Sequence, residues 1–261
     1  SNEKDVNFAV EAAYEALSTW GALEIHQRSE YICKLANKLE ENYELIARLE
    51  SEDTGKPIQI ARKIDASRSV ANLRHFAETA PKFENEVFHM EDAVNYTIRK
   101  PVGVCALISP WNLPLYLLTW KIGPALMMGN TVVCKPSEMT PRTAFILGKI
   151  SIEIGLPPGV LNIIHGLGDE VGQALTNHPL IKAISFTGGT KTGQKVAESA
   201  AKRLAKTSLE LGGKNATIVF ESACTEEHLN RTLEQIIRSS YLNQGQICLC
   251  GSRLFIEHTV Y

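Results

Sequence analysis

Cys248 lies in Asn243-Gln244-Gly245-Gln246-Ile247-Cys248-Leu249-Cys250, a short polar stretch with a glycine shortly before the thiol. A structural cysteine usually sits inside an apolar run and behaves as a small hydrophobe. Cys248 is flanked by amides and glycine, as a functional group held on a loop would be. It is a candidate nucleophile, and burial in a core is the plainer alternative. Glu210 stands in Thr207-Ser208-Leu209-Glu210-Leu211-Gly212-Gly213-Lys214, a β-type apolar run that ends in glycines. It either faces out and is solvated, or faces in and serves as a base for the thiol. In Ile108-Ser109-Pro110-Trp111-Asn112-Leu113-Pro114 an apolar strand stops at a turn that carries an amide. Asn112 either caps the following helix or donates to an oxyanion.

A second set of residues suits phosphate and ribose. Lys135-Pro136-Ser137-Glu138 follows a short strand pattern. Either Lys135 meets a phosphate or a ribose hydroxyl and Glu138 accepts from both hydroxyls of an adenosine ribose, or the two form a surface ion pair on a solvated loop. A 2'-phosphate would set negative charge against Glu138, so NAD is favoured over NADP. His165-Gly166-Leu167-Gly168-Asp169-Glu170-Val171-Gly172 is GxGxxxG and departs from the GxGxxG fingerprint, so Gly168 is weak evidence by itself. Phe186-Thr187-Gly188-Gly189-Thr190-Lys191-Thr192-Gly193 reads as a strand-to-helix turn. The backbone N–H groups and helix dipole there suit a pyrophosphate.

These groups need a scaffold, and the pattern supplies one. Residues 5–79 read as helices, with Val6, Ala9, Val10, Ala13 and Leu17 on one stripe and Ile32, Leu35, Ala36 and Leu39 on another. Leu45, Ile46 and Leu49 continue until Gly55-Lys56-Pro57 stops the pattern. Ile60, Ile64, Val70 and Phe76 suggest one further helix. Residues 81–91 are polar and irregular, and residues 94–99 alternate as an edge strand would. From Val102 apolar strands (102–108, 131–134, 161–164, 183–186) alternate with helices (115–128, 143–154, 171–177, 190–204). That alternation predicts an α/β fold with a parallel sheet and right-handed crossovers, and ligands at the carboxyl ends of its strands. Thr217 begins a new strand, and Leu229, Leu233, Ile236 and Ile237 stripe a helix leading to the Cys248 loop.

PWN at 110–112, LELGGK at 209–214 and NQGQIC at 243–248 occur in the order seen in the aldehyde dehydrogenase superfamily, and the chain resembles that family from about Val6 to its end. KPSE at 135–138, PPGVLN at 157–162 and FTG at 186–188 agree. Residues 108–126 and 243–253 further resemble the branch acting on 2-aminomuconate and related muconic semialdehydes, whose vertebrate member is also described as a retinal dehydrogenase.

The resemblance implies a Rossmann-like NAD-binding domain over residues 1–215 and the beginning of a catalytic domain over 216–261. It implies Cys248 as nucleophile, Glu210 as base, and Asn112 with the Cys248 N–H as oxyanion donors. Ser109, Pro110, Trp111 and Leu211 join Lys135, Ser137, Glu138, Gly168, Thr187, Gly188, Gly189 and Gly193 as its cofactor set. Lys121 and Glu210 are neighbours in a proton path. A strand near 94–100 serves oligomerisation, so a homo-dimer or homo-tetramer is expected. The family usually has Ser where this chain has Gly189, which removes a hydroxyl donor to the pyrophosphate. Three other activities are weighed against the semialdehyde one: oxidation of retinal or another apolar aldehyde, an inactive NAD-binding fragment, and a thiol esterase or a redox site with Cys250.

Composition narrows the classes. A hydrophobic fraction of 44% with 21% charged residues is ordinary for a soluble globular protein. A net charge of -2 gives no electrostatic case for nucleic acid or an anionic membrane. No apolar run approaches the roughly 20 residues of a membrane helix. The six cysteines lack the spacing of a four-ligand zinc site, so no metal is expected, and a reduced, cytoplasmic setting is. The polar start without Met and the stop soon after the first strand of the second domain suggest a trimmed chain.

Overall fold

The computed structural model describes residues 1–261. Asn2 caps α1 (Glu3–Ala22), accepting from the backbone N–H groups of Lys4 at 2.9 Å and Asp5 at 3.3 Å, while the Asp5 carboxylate accepts from the N–H of Asn2 at 2.8 Å. This reciprocal box satisfies donors that a helix start leaves free. In α2 (Ile25–Glu41) the stripe Ile32, Leu35, Ala36 and Leu39 is fully buried. α3 (Tyr43–Thr54) ends at Gly55, whose φ of 74° is a left-handed conformation that favours glycine.

The next helical segment departs from the single helix expected. It runs as α4 (Ile58–Ile60), a π turn (Ala61–Ala66) and α5 (Ser67–Thr79). The wider turn rotates the inner face. Ala61, Asp65, Ala66 and Ser69 are buried beside Val70, whereas Ile60, Ile64 and Phe76 are half-buried. Residues 81–91 also differ from the irregular reading. They contain β1 (Val87–His89), which pairs antiparallel with β2 (Val94–Tyr96). Every residue of both strands is exposed, so no buried face marked β1 in the sequence.

Next in the chain come β3 (Val104–Ile108), α6 (Pro114–Met127), β4 (Thr131–Lys135), α7 (Arg142–Glu153), β5 (Leu161–Ile163), α8 (Gln173–Asn177), β6 (Ile181–Gly188), α9 (Thr190–Ala201) and β7 (Lys206–Leu211). The helix expected at 171–177 is a π turn (Gly168–Gly172) followed by α8. The strands form one parallel sheet in the order β5-β4-β3-β6-β7. Side chains alternate across it. Cys105 and Leu107 join a core with α2, α5, α6 and α7, while Val104, Ala106 and Ile108 join a second core with α1, α8 and α9. Both faces are covered, which is why β3 reads as a continuous apolar run.

After β7, β8 (Ala216–Val219) pairs parallel with β9 (Arg253–Ile256), with α10 (Leu229–Tyr241) between them in sequence. Leu229, Leu233 and Ile237 of α10 are exposed. No helix is long and apolar enough to cross a membrane.

Candidate functional site

From β3 the chain steps to β4 on one side and later returns to β6 on the other side of β3. The loops leaving β3 and β6 therefore part at the carboxyl edge, where an open sheet forms its ligand crevice. A cleft of about 680 Å³ lies there. It is lined by Ser109, Pro110 and Trp111 after β3, by Lys135, Ser137 and Glu138 at β4, by Gly168, and by Thr187, Gly188 and Gly189 at β6. Sequence reasoning selected all of these.

The polar residues of the cleft are oriented. Buried Lys135 donates from Nζ to the Pro136 carbonyl and to Glu138 Oε2, each at 3.1 Å. Burial alone would push the Glu138 carboxyl up, but its own backbone N–H and Lys135 outweigh that and hold it below the ordinary range. Ser109 Oγ is buried with no hydrogen-bond partner. Gly189 is the N-cap of α9, and no side chain satisfies the first turn of that helix. A Cβ at Gly189 would meet nothing within 4 Å. The first N–H groups of α9 are thus open toward the cleft, as an anion site requires. An orphaned hydroxyl, a held lysine–glutamate pair and an uncapped helix start together fit a dinucleotide.

Gly193 and Leu211 do not line the cleft. They meet each other: a Cβ on Gly193 would lie 2.5 Å from Leu211 Cδ2. A glycine at 193 lets α9 approach β7 without displacing the Leu211 side chain, a packing reason that spacing alone does not separate from a phosphate-binding one.

The Cys248 loop is held by polar side chains. Asn243, Gln244 and Gly245 have φ of 51°, 62° and 72°, three left-handed residues in succession. Non-glycine residues rarely hold that conformation without outside support. The support is visible: Asn243 Nδ2 donates to the Asn112 carbonyl at 3.0 Å, and Gln244 Nε2 to the Gly55 carbonyl at 3.2 Å. Asn215 Nδ2 donates to the Cys248 carbonyl at 2.6 Å. The Cys248 thiol is exposed, and Cys250 is buried. The backbone N–H of Cys248 makes no hydrogen bond.

Asn112 does not cap α6; Leu113 holds that position. Its side-chain amide donates instead to the Gln246 carbonyl at 2.7 Å. A carboxamide has two N–H donors, so one remains while the bond to Gln246 orients the amide plane.

Glu210 is exposed on β7 and pairs in register with Thr187. It lines a different cleft, together with Lys121, Ser185 and Trp120. Burial pushes the Lys121 ammonium down to about 8 against the opposing charge of Glu210. Lys121 Nζ donates to Ser185 Oγ at 2.9 Å. Glu210 and Cys248 share no hydrogen bond, and Cys248 lines neither of these two clefts. Sequence reasoning missed Ser185, and also Glu50, Lys56 and Asp65, which are buried behind the Asn112 loop. For Glu50 and Asp65 the signal was a charge at a position the helical pattern turns inward; Lys56, in the break after α3, and Ser185, on β6, carried none.

Comparison with known proteins completes this picture. The model of the aldehyde dehydrogenase family matches residues 1–261. The 2-aminomuconic semialdehyde dehydrogenase of Danio rerio is 49% identical over 263 residues, which are 100% of this chain and 53% of the relative. The 2-hydroxymuconic semialdehyde dehydrogenase of Pseudomonas sp. (strain CF600) is 43% identical over 264 residues, 98% of this chain and 54% of the relative. The NAD+ complex of the aldehyde dehydrogenase from Bacillus cereus superposes with a TM-score of 0.95 at 38% identity, over 100% of this chain and 53% of that one. The chain spans about half the length of the curated relatives it matches.

Proposed function

Because the chain belongs to the aldehyde dehydrogenase family, we propose that it carries the cofactor cleft, thiol and oxyanion donors for NAD-dependent oxidation of an aldehyde to a carboxylic acid. The observation that carries the reading is the Asn112–Gln246 bond, because it sets an oriented amide two residues from the exposed thiol.

Cys248 is the nucleophile. A free thiol near pKa 8.5 is only a few per cent ionised at neutral pH, so it needs a base. Glu210, which shares no hydrogen bond with Cys248, takes that proton through water. Attack on the aldehyde carbon forms a thiohemiacetal whose oxyanion is held by the second Asn112 N–H and the free N–H of Cys248. One such donor is worth roughly 3–4 kcal/mol in the transition state. NAD, held by Lys135, Ser137, Glu138 and the start of α9, supplies a hydride acceptor. The acyl group left on Cys248 is a thioester, and Glu210 activates the water that releases it as a carboxylate. Lys121, beside Ser185 and Glu210, is the next group in that proton path.

The relatives' names point to an acidic semialdehyde, 2-aminomuconate 6-semialdehyde or a close relation, as the substrate. The exposed apolar hairpin β1–β2, with Val87, Phe88, Val94 and Tyr96, supports a homo-dimer or homo-tetramer. We read 1–215 as the cofactor domain and 216–261 as the start of the catalytic one.

The test is NAD reduction at 340 nm with an acidic semialdehyde and, in parallel, with retinal, on this chain and on a longer form carrying the rest of the catalytic domain. Turnover with the acidic aldehyde that is lost in Cys248→Ala, with NAD binding retained, is the expected result. Turnover with retinal alone would overturn the substrate. NAD binding without turnover in either form would overturn the chemistry.

A further inference from the structure

A buried ionic group behind the Asn112 loop takes no part in the chemistry above. Lys56 and Asp65 both have side chains with no exposure, and Lys56 Nζ donates to both Asp65 oxygens at 2.9 Å. Its third donation, at 3.0 Å, goes to the main-chain carbonyl of Asn112. An ammonium has three donors, so all are spent, and one is spent on the residue whose side chain faces the thiol loop. The neighbouring residue Gly55 presents its carbonyl to Gln244 of that loop. The corner at 55–56 therefore grips both the Asn112 turn and the Cys248 loop.

Glu50 completes the grip on the far side of Asn112. Its Oε1 accepts from the Leu115 N–H at 3.1 Å and from Thr143 Oγ1 at 2.6 Å. Burial, with the charge of Asp65 added, pushes its carboxyl up to about 8. That shift favours the neutral acid beside Asp65. Burial likewise pushes Asp65 up, while Lys56 pulls against it.

A buried ion pair is a poor device for stability alone, since an apolar pair of similar volume often serves as well. This pair supplies a donor aimed at one carbonyl. We propose that Lys56, oriented by Asp65, is a positioning residue that fixes the Asn112 turn, so that the Asn112 amide keeps one N–H on Gln246 and presents the other to an oxyanion. This rests on the reading of Asn112 as an oxyanion donor, and one arm of its test is independent of turnover.

The variant is Lys56→Met/Asp65→Leu, which removes both charges and leaves no buried ion alone. Lys56→Arg keeps the ion pair while changing the reach to Asn112, and it serves if the double variant fails to fold. In asparagine-labelled protein the Asn112 side-chain amide is expected to exchange with solvent at least roughly ten-fold faster in the variant, in line with an opened local contact. Asn72, whose amide bonds Tyr116 and Thr119 on the same side of the fold, should be unaffected. Unchanged exchange at Asn112, or equal acceleration at Asn72, would overturn the inference even if no aldehyde is ever turned over.

In the form active with an aldehyde, kcat is expected to fall roughly 10- to 100-fold with KM for NAD unchanged. In an Asn112→Ala background the same pair of changes should cost less than about two-fold, because its target is already gone. Equal losses in both backgrounds would make Lys56 a general structural residue and sink the idea. An inactive parent would defeat the proposed function while the exchange arm still decides the inference.

Discussion

The Asn112 side-chain amide donates to the carbonyl oxygen of Gln246 at 2.7 Å, across 134 residues of chain. The bond joins the turn after β3 to the loop that carries Cys248. It gives the amide an orientation before any substrate arrives, and an oriented donor costs no reorganisation in the transition state. Asn112→Ala should lower kcat by roughly 100- to 1,000-fold with little change in NAD affinity. Stopped-flow and steady-state kinetics check this, and a wild-type kcat would remove Asn112 from the oxyanion site.

Lys121 carries a pH signature. Burial holds its folded-state value at about 8, against 10.5 for the unperturbed group. Between those values the unfolded chain binds the proton and the folded one does not, so the contribution of Lys121 to stability rises with pH through that window. Below about 8 both states hold the proton and the folded one carries a poorly solvated cation. Lys121→Met should therefore be more stable than the parent at neutral pH, with the advantage shrinking as pH approaches 10. Thermal unfolding across that range tests the sign, and a gap that widens with pH would contradict it.

Gly189→Ser should gain twice. The site has φ -72° and ψ 146°, ordinary for a serine N-cap, and space for a Cβ with nothing within 4 Å. Replacing a glycine cap by serine is worth a few tenths of a kcal/mol. The added hydroxyl also faces the dinucleotide cleft. Urea unfolding should show the small gain, and calorimetric titration should show tighter NAD binding. Weaker binding would mean that the hydroxyl blocks the helix start.

Gly193→Ala should cost about 1 kcal/mol, through overpacking against Leu211 and not through the cofactor. The contact is 2.5 Å to Leu211 Cδ2 and 3.2 Å to Cδ1, and both atoms end a side chain that can shift. In a Leu211→Ala background the same change should cost almost nothing. NAD affinity should be unchanged throughout, and a loss of affinity would return Gly193 to the cofactor site.

Legibility in the sequence followed burial. The strands β3 and β4 were plain because both faces of the sheet are covered, so β3 is apolar throughout and β4 is apolar between Thr131 and Lys135. The end of α3 was plain because the chain there turns left-handed, at φ 74°, and carries the glycine that this conformation favours, Gly55. β1 was invisible because none of its residues is buried. The π turn at 61–66 was invisible because one wider turn rotates an inner face without changing the residues that make it.

By itself the sequence determined the chemical inventory and the order in which the chain delivers it: a thiol among amides, a carboxylate before two glycines, an amide at a strand end, and the alternation that demands a parallel sheet. Tertiary structure decided which of these meet. It put Gly193 against Leu211, set Glu210 in a different cleft from Ser109 and Glu138, and brought Lys56 beneath Asn112. The reason is physical. Local pattern records which faces are buried, whereas a hydrogen bond between residues 56 or 134 positions apart exists only once packed layers bring their loops together.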